Sequence, residues 1–115
     1  MAHSKESILT LMYDFLLYLI PQISKFPRDQ KFVLGDRIET LALDILDDFV
    51  VGYYSKEKRE RLLAANLKLE RLRFLIRLSH DLKLLSNQKY GFISERLNEI
   101  GGTIGNWLKS IEQRK

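Results

Sequence analysis

The chain contains no cysteine, which excludes disulfides and thiolate-bound metals and fits a reducing compartment such as the cytosol. Long apolar runs are also missing. The most lipid-like stretch, Phe15 to Ser24, is ten charge-free residues interrupted by Pro21, against the roughly 20 that a spanning helix needs. The opening Met1-Ala2-His3-Ser4-Lys5-Glu6 has no basic region followed by an apolar one, so no signal peptide is expected. These absences together lead to the expectation of a cytoplasmic protein without a membrane span. No segment alternates polar and apolar residues in the manner of a strand, and neither an internal repeat nor a low-complexity tract is found.

What is present is ordinary for a globular helical domain: 115 residues, 45% apolar and 30% charged, enough to bury one core. The formal charge of +4 is unevenly distributed. Arg28 to Tyr54 carries three basic and six acidic residues, a net of −3, whereas Lys56 to Lys89 carries ten basic and four acidic, a net of +6. Such asymmetry suits one face to polyanions and another to solvent or a basic partner.

Hydrophobic periodicity divides the chain into four helical segments. The first, about 4–25, carries Ile8, Met12, Phe15, Leu19 and Ile23 at three- and four-residue steps. Pro21 is expected to kink it or shorten its last turn, and Phe26-Pro27 to end it. The second, about 28–54, has Leu34, Ile38, Leu41, Ile45 and Phe49 as its stripe, with Gly35 and Gly52 as weak points and Ser55 able to cap the third segment. The third runs over about 56–85, with Ser86-Asn87 ending it. The fourth runs over about 88–112, with Ile93, Leu97, Ile100, Ile104, Trp107 and Ile111 in one seam. Gly101, Gly102 and Gly105 sit inside that seam, each costing roughly 1 kcal/mol relative to alanine. They predict a close approach by another helix backbone, or a bend. The expected fold is all-α: one domain over 1–115, an antiparallel up-down four-helix bundle that assembles into an oligomer.

The third segment has too many apolar faces for a lone bundle helix. On a wheel of about 100° per residue with Leu62 at zero, Ala65, Leu69, Leu72 and Ile76 fall between about 280° and 340°. Leu63, Leu67, Phe74, Leu78 and Leu85 fall almost opposite, between about 100° and 160°. Either the core face is unusually wide or the second stripe is an oligomer interface, for which Leu63, Leu67, Phe74 and Leu78 are the candidates. Basic residues fill the gaps, with Arg59, Arg73 and Arg77 on one flank and Arg61, Lys68 and Arg71 on the other. Glu70 can reach Arg73 and Asp81 can reach Arg77, yet a surplus of six positive charges remains over Lys56 to Lys89. Paired arginines suit phosphate, so these six residues are the nucleic-acid-binding candidates.

No catalytic constellation emerges. His3 and His80 lie far apart; Asp44, Asp47 and Asp48 read as a solvated acidic face; Trp107 reads as core or interface. No zinc-protease pair, phosphate-cradling glycine loop or nucleophile motif occurs. The expectation is a binding protein without metal, cofactor or enzymatic activity.

Several motifs carry a resemblance. Lys25-Phe26-Pro27-Arg28, Lys31 and Leu34-Gly35-Asp36-Arg37-Ile38 join the first two segments; Leu72-Arg73-Phe74-Leu75-Ile76-Arg77-Leu78 lies in the third; Glu99-Ile100-Gly101-Gly102, Gly105 and Trp107-Leu108 lie in the fourth. In order and spacing, from about Tyr13 to Lys109, the chain resembles the accessory variability determinant (Avd) proteins of diversity-generating retroelements. More loosely it resembles the four-helix-bundle proteins encoded in ribosomal-RNA intervening sequences. The first resemblance implies a homopentameric barrel that binds RNA or DNA and associates with the element's reverse transcriptase during mutagenic cDNA synthesis. It carries over Arg73 and Arg77 as nucleic-acid contacts; Lys68, Arg71, Arg59 and Arg61 come from the wheel. The acidic second segment departs from what a nucleic-acid-binding chain would favour. The second resemblance implies an oligomeric scaffold with no nucleic-acid role.

Overall fold

The computed structural model describes residues 4–113. Among them are four helices and no strand. Helix α1 spans Ser4–Ile23. Helix α2 is continuous but uneven: α-helical at Arg28–Gln30, a π-helical turn at Lys31–Gly35, then α-helical at Asp36–Tyr54. Helix α3 spans Lys58–Asp81 and α4 spans Asn87–Gln113. Each helix packs beside its chain neighbours and α4 closes against α1, so the bundle runs up, down, up, down. The result is an elongated body of 48 × 23 × 20 Å.

The segment ends differ from expectation for local reasons. Helix α1 continues through Pro21 and stops two residues later. Its end tightens into three-residue turns, Lys25 N–H to the Gln22 carbonyl and Phe26 N–H to the Ile23 carbonyl, while the Ser24 hydroxyl donates to the Pro21 carbonyl. Ser55 is not the cap of α3: its hydroxyl accepts the Glu57 N–H in the preceding loop. Lys58 caps the other helix instead, its ammonium donating to the carbonyls of Gly52, Tyr53 and Ser55 at the end of α2.

Helix α3 ends at Asp81, short of Leu85, because Lys83 adopts a left-handed backbone (φ 66°). The Leu84 N–H bonds back to the Ser79 carbonyl and the Lys83 N–H to that of His80, a Schellman arrangement that satisfies the last carbonyls. Ser86 opens α4 rather than closing α3, its hydroxyl accepting the Lys89 N–H.

One apolar core runs the length of the bundle. The first stripe of each segment supplies it: Met12 and Leu19, Ile38 and Phe49, Leu69 and Leu72, Ile100 and Trp107 are all fully or almost fully buried. In α2, Ala42 takes a core place and Leu41 is only half-buried. Gly35 lies where α2 starts against the end of α1. A Cβ there would sit 2.9 Å from Cγ2 of Ile23, so the close approach requires glycine. Within the π-helical turn, Phe32 and Val33 face outward.

No other helix's backbone lies against the glycines of α4, so the first of the two expectations, a close backbone approach, is not met. Gly101 makes room for a side chain, since a Cβ would lie 3.0 Å from a terminal nitrogen of Arg73. Gly102 and Gly105 face open space.

Candidate nucleic-acid and assembly interface

Helix α3 resolves its two stripes cleanly. Leu62, Ala65, Leu69, Leu72 and Ile76 are in the core. Leu63, Leu67, Phe74 and Leu78 point away from it, with Leu67 58% and Phe74 68% exposed, so no neighbouring helix of the same chain covers them. The second stripe is therefore not part of a broad core face. Leu85, which shares that stripe on the wheel, is instead buried at 4% because the helix has ended before it.

The six basic candidates separate by what they already hold. Arg61 and Lys68 converge on Asp48, a carboxylate only 1% exposed, at 3.1 and 2.6 Å. Arg73 donates to Glu70 (3.2 Å), to Asn98 (2.7 Å) and to the Leu97 carbonyl (3.2 Å), clamping α3 to α4 beside Gly101. These three cations are committed inside the fold. Arg59 lies 3.8 Å from Glu112 with both side chains about half exposed. Arg77 is exposed and only 4.0 Å from Asp81, an ion pair too long and too hydrated to hold it firmly. Arg71 is exposed and makes no ion pair among the described residues.

Two clefts border Phe74. On the α2 side, Arg71 shares a cleft of about 690 Å³ with Phe32, Val33 and Arg37, and with the carboxylates of Asp36 and Asp44. On the α4 side, Arg77 shares one of about 350 Å³ with Glu70, Arg73, Tyr90 and Ser94. His80 lies at this end of α3, half-buried, stacked on Tyr90 at 4.2 Å and 2.6 Å from the Asn87 side-chain oxygen. His3 is outside the described residues.

A family model described as bAvd-like matches residues 7–111. The chain belongs to the bAvd-like family. No curated protein matches it.

Two features of this bAvd-like chain are not evident from its sequence. Asp48 reads with Asp44 and Asp47 as a solvated face, but it is buried and balanced by two cations. The signal that could have found it is its position, one residue before Phe49 and three after Ile45, on the edge of the α2 core stripe. Arg37 stands in sequence only as part of a motif, yet it shares a cleft with Arg71 across the α2–α3 seam. Helix periodicity within one segment cannot report a pairing between two.

Proposed function

We propose that this bAvd-like chain is a nucleic-acid-binding accessory subunit of a diversity-generating retroelement. In this reading it holds template RNA and contacts the reverse transcriptase, which does the chemistry of mutagenic cDNA synthesis. The observation that carries the proposal is the outward face of α3, an exposed apolar stripe flanked by the uncommitted side chains of Arg71 and Arg77. A planar guanidinium fork matches phosphate, and such contact is sequence-independent, so DNA can occupy the same surface. The stripe serves self-association, and the resemblance to Avd proteins implies five copies. The protein works in the cytoplasm as a binding subunit, not an enzyme, and needs no metal or cofactor. No helix among the described residues is long and apolar enough to cross a membrane.

Titrating labelled RNA across a salt series, from about 50 to about 200 mM, tests the polyanion contact. Wild type should weaken steeply with salt. Arg71→Ala/Arg77→Ala should bind less tightly, with a salt slope shallower by about one for each phosphate no longer held. Absence of binding at the lowest salt contradicts the proposal.

The second reading, an oligomeric scaffold of the intervening-sequence type without a nucleic-acid role, is favoured by one observation. Arg61, Lys68 and Arg73 are engaged by intramolecular partners, which cuts the basic surface well below the sequence surplus. The same titration separates the two, and a neighbouring reverse-transcriptase gene with paired repeats would favour the first.

A further inference from the structure

The formal charge of the chain is concentrated at one end of the molecule. Because the bundle runs up, down, up, down, the α1–α2 corner and the α3–α4 turn lie together at one end of a body 48 Å long. The last two turns of α1 and α3, the opening turns of α2 and α4 and the links between them cover residues 16–37 and 74–94. These hold seven basic residues and three acidic ones, Asp29, Asp36 and Asp81, a net of +4. That equals the formal charge of the whole chain, so the other residues balance. The acidic total of α2 hides this: its three cations, Arg28, Lys31 and Arg37, all precede Glu39, Asp44, Asp47 and Asp48.

The cations at this end are available to a ligand. Among the described residues only Arg77 of the seven makes an ion pair, at 4.0 Å from Asp81. Arg61 and Lys68, further along α3, are by contrast held by Asp48. An exposed aromatic ring stands among the free cations. The π-helical turn Lys31–Gly35 leaves Phe32 58% and Val33 68% exposed, and such turns recur at functional sites. The Arg28 guanidinium lies 5.8 Å from the centre of the Phe32 ring, and Phe32 lines the same cleft as Arg37. Asp36 and Asp44 in that cleft are acceptors for the amino group of a base. Cations that track a phosphate backbone and an aromatic ring that receives a base are the two parts of a single-strand site. A duplex keeps its bases paired and cannot use the ring, and an acidic peptide would use the cations alone.

We infer that this end of the bundle binds single-stranded nucleic acid, with Arg28, Lys31, Arg37, Lys83 and Lys89 on phosphates and Phe32 stacking an unpaired base. The inference rests on the nucleic-acid reading above. It moves the centre of that reading from the flanks of α3 to the bundle end, with Arg77 common to both, and it selects single strands over duplex.

Titrations of the full chain with one fluorescent RNA, as a single strand and as a duplex with its complement, test this across a salt series. Wild type should bind the single strand more tightly. Arg28→Gln/Arg37→Gln/Lys83→Gln replaces three exposed cations and should keep the helical circular dichroism of wild type. Its salt slope on the single strand should be shallower by about 0.7 for each phosphate no longer held. Phe32→Leu should weaken single-strand binding roughly tenfold and leave duplex binding unchanged, while Phe32→Tyr should bind as wild type does. As a single exposed change, Phe32→Leu keeps the test decisive if the triple variant unfolds. Wild-type affinity and slope in the triple variant, beside weakened binding by Arg71→Ala/Arg77→Ala, would overturn the bundle end as the site and leave the proposed function standing. Equal losses on strand and duplex in Phe32→Leu would overturn the stacked base. Displacement of the RNA by polyglutamate as readily as by unlabelled RNA would overturn nucleic acid as the ligand, in favour of an acidic protein. A wild type that binds no RNA at about 50 mM salt would overturn both the inference and the proposed function.

Discussion

Asp48 puts a carboxylate among core residues, and the fold tolerates it because two cations from α3 reach it across the α2–α3 seam. Removing one partner leaves the buried oxygen short of a donor, which costs far more than losing a surface pair. Lys68→Ala should therefore destabilise the protein by about 1–3 kcal/mol in urea denaturation. Because both cations are partly exposed, water can replace some of the missing interaction, which argues for the lower part of that range. A loss indistinguishable from that of an ordinary surface lysine would show that the pair is incidental. Lys83 is the other residue whose role is set by geometry: it occupies a left-handed position where glycine is usual, and so hides the end of α3 from the sequence. Both features depend on partners or dihedrals that residue type alone does not announce.

At the scale of elements, the sequence is most legible where burial repeats along a helix. The four segments and their core stripes are readable because each buries one face over five or more turns, which averages out local ambiguity. The α3 wheel also separates core from surface, since Leu69 and Leu72 go inside and Leu67 and Phe74 outside. The helix ends are not readable to the same precision, because caps act through local hydrogen bonds, one at Ser86 and three at Lys58, that leave no periodic pattern. The candidate site is legible in outline only: periodicity places all six cations on α3 flanks, but not the acceptors on α2 and α4 that claim three of them.

The glycines of α4 make a second element-scale test. Gly102 faces open space, so Gly102→Ala should stabilise the monomeric fold by about 1 kcal/mol through helix propensity. Gly101→Ala should gain less or nothing, because its methyl group would press on Arg73 at 3.0 Å and disturb the clamp to Leu97 and Asn98. Thermal melts of the two variants check the difference; equal gains would mean that the Arg73 clamp contributes little.

The whole molecule combines an acidic α2 with a basic α3 in one slender bundle, so its surface is not uniformly basic. In the proposed function, three roles meet on α3: its inner stripe builds the core, its outer stripe serves self-association, and Arg71 and Arg77 face polyanions. Membership of the bAvd-like family sets the context in which those surfaces work. An assembled protein that carries nucleic acid requires that RNA travel with an oligomer. Sedimentation velocity of the full chain with fluorescent single-stranded RNA at about 50 mM salt, where screening is weak, measures both at once. The RNA signal should move with a protein species heavier than the 13.6 kDa monomer. A monomeric protein, with RNA sedimenting as it does alone, would contradict this.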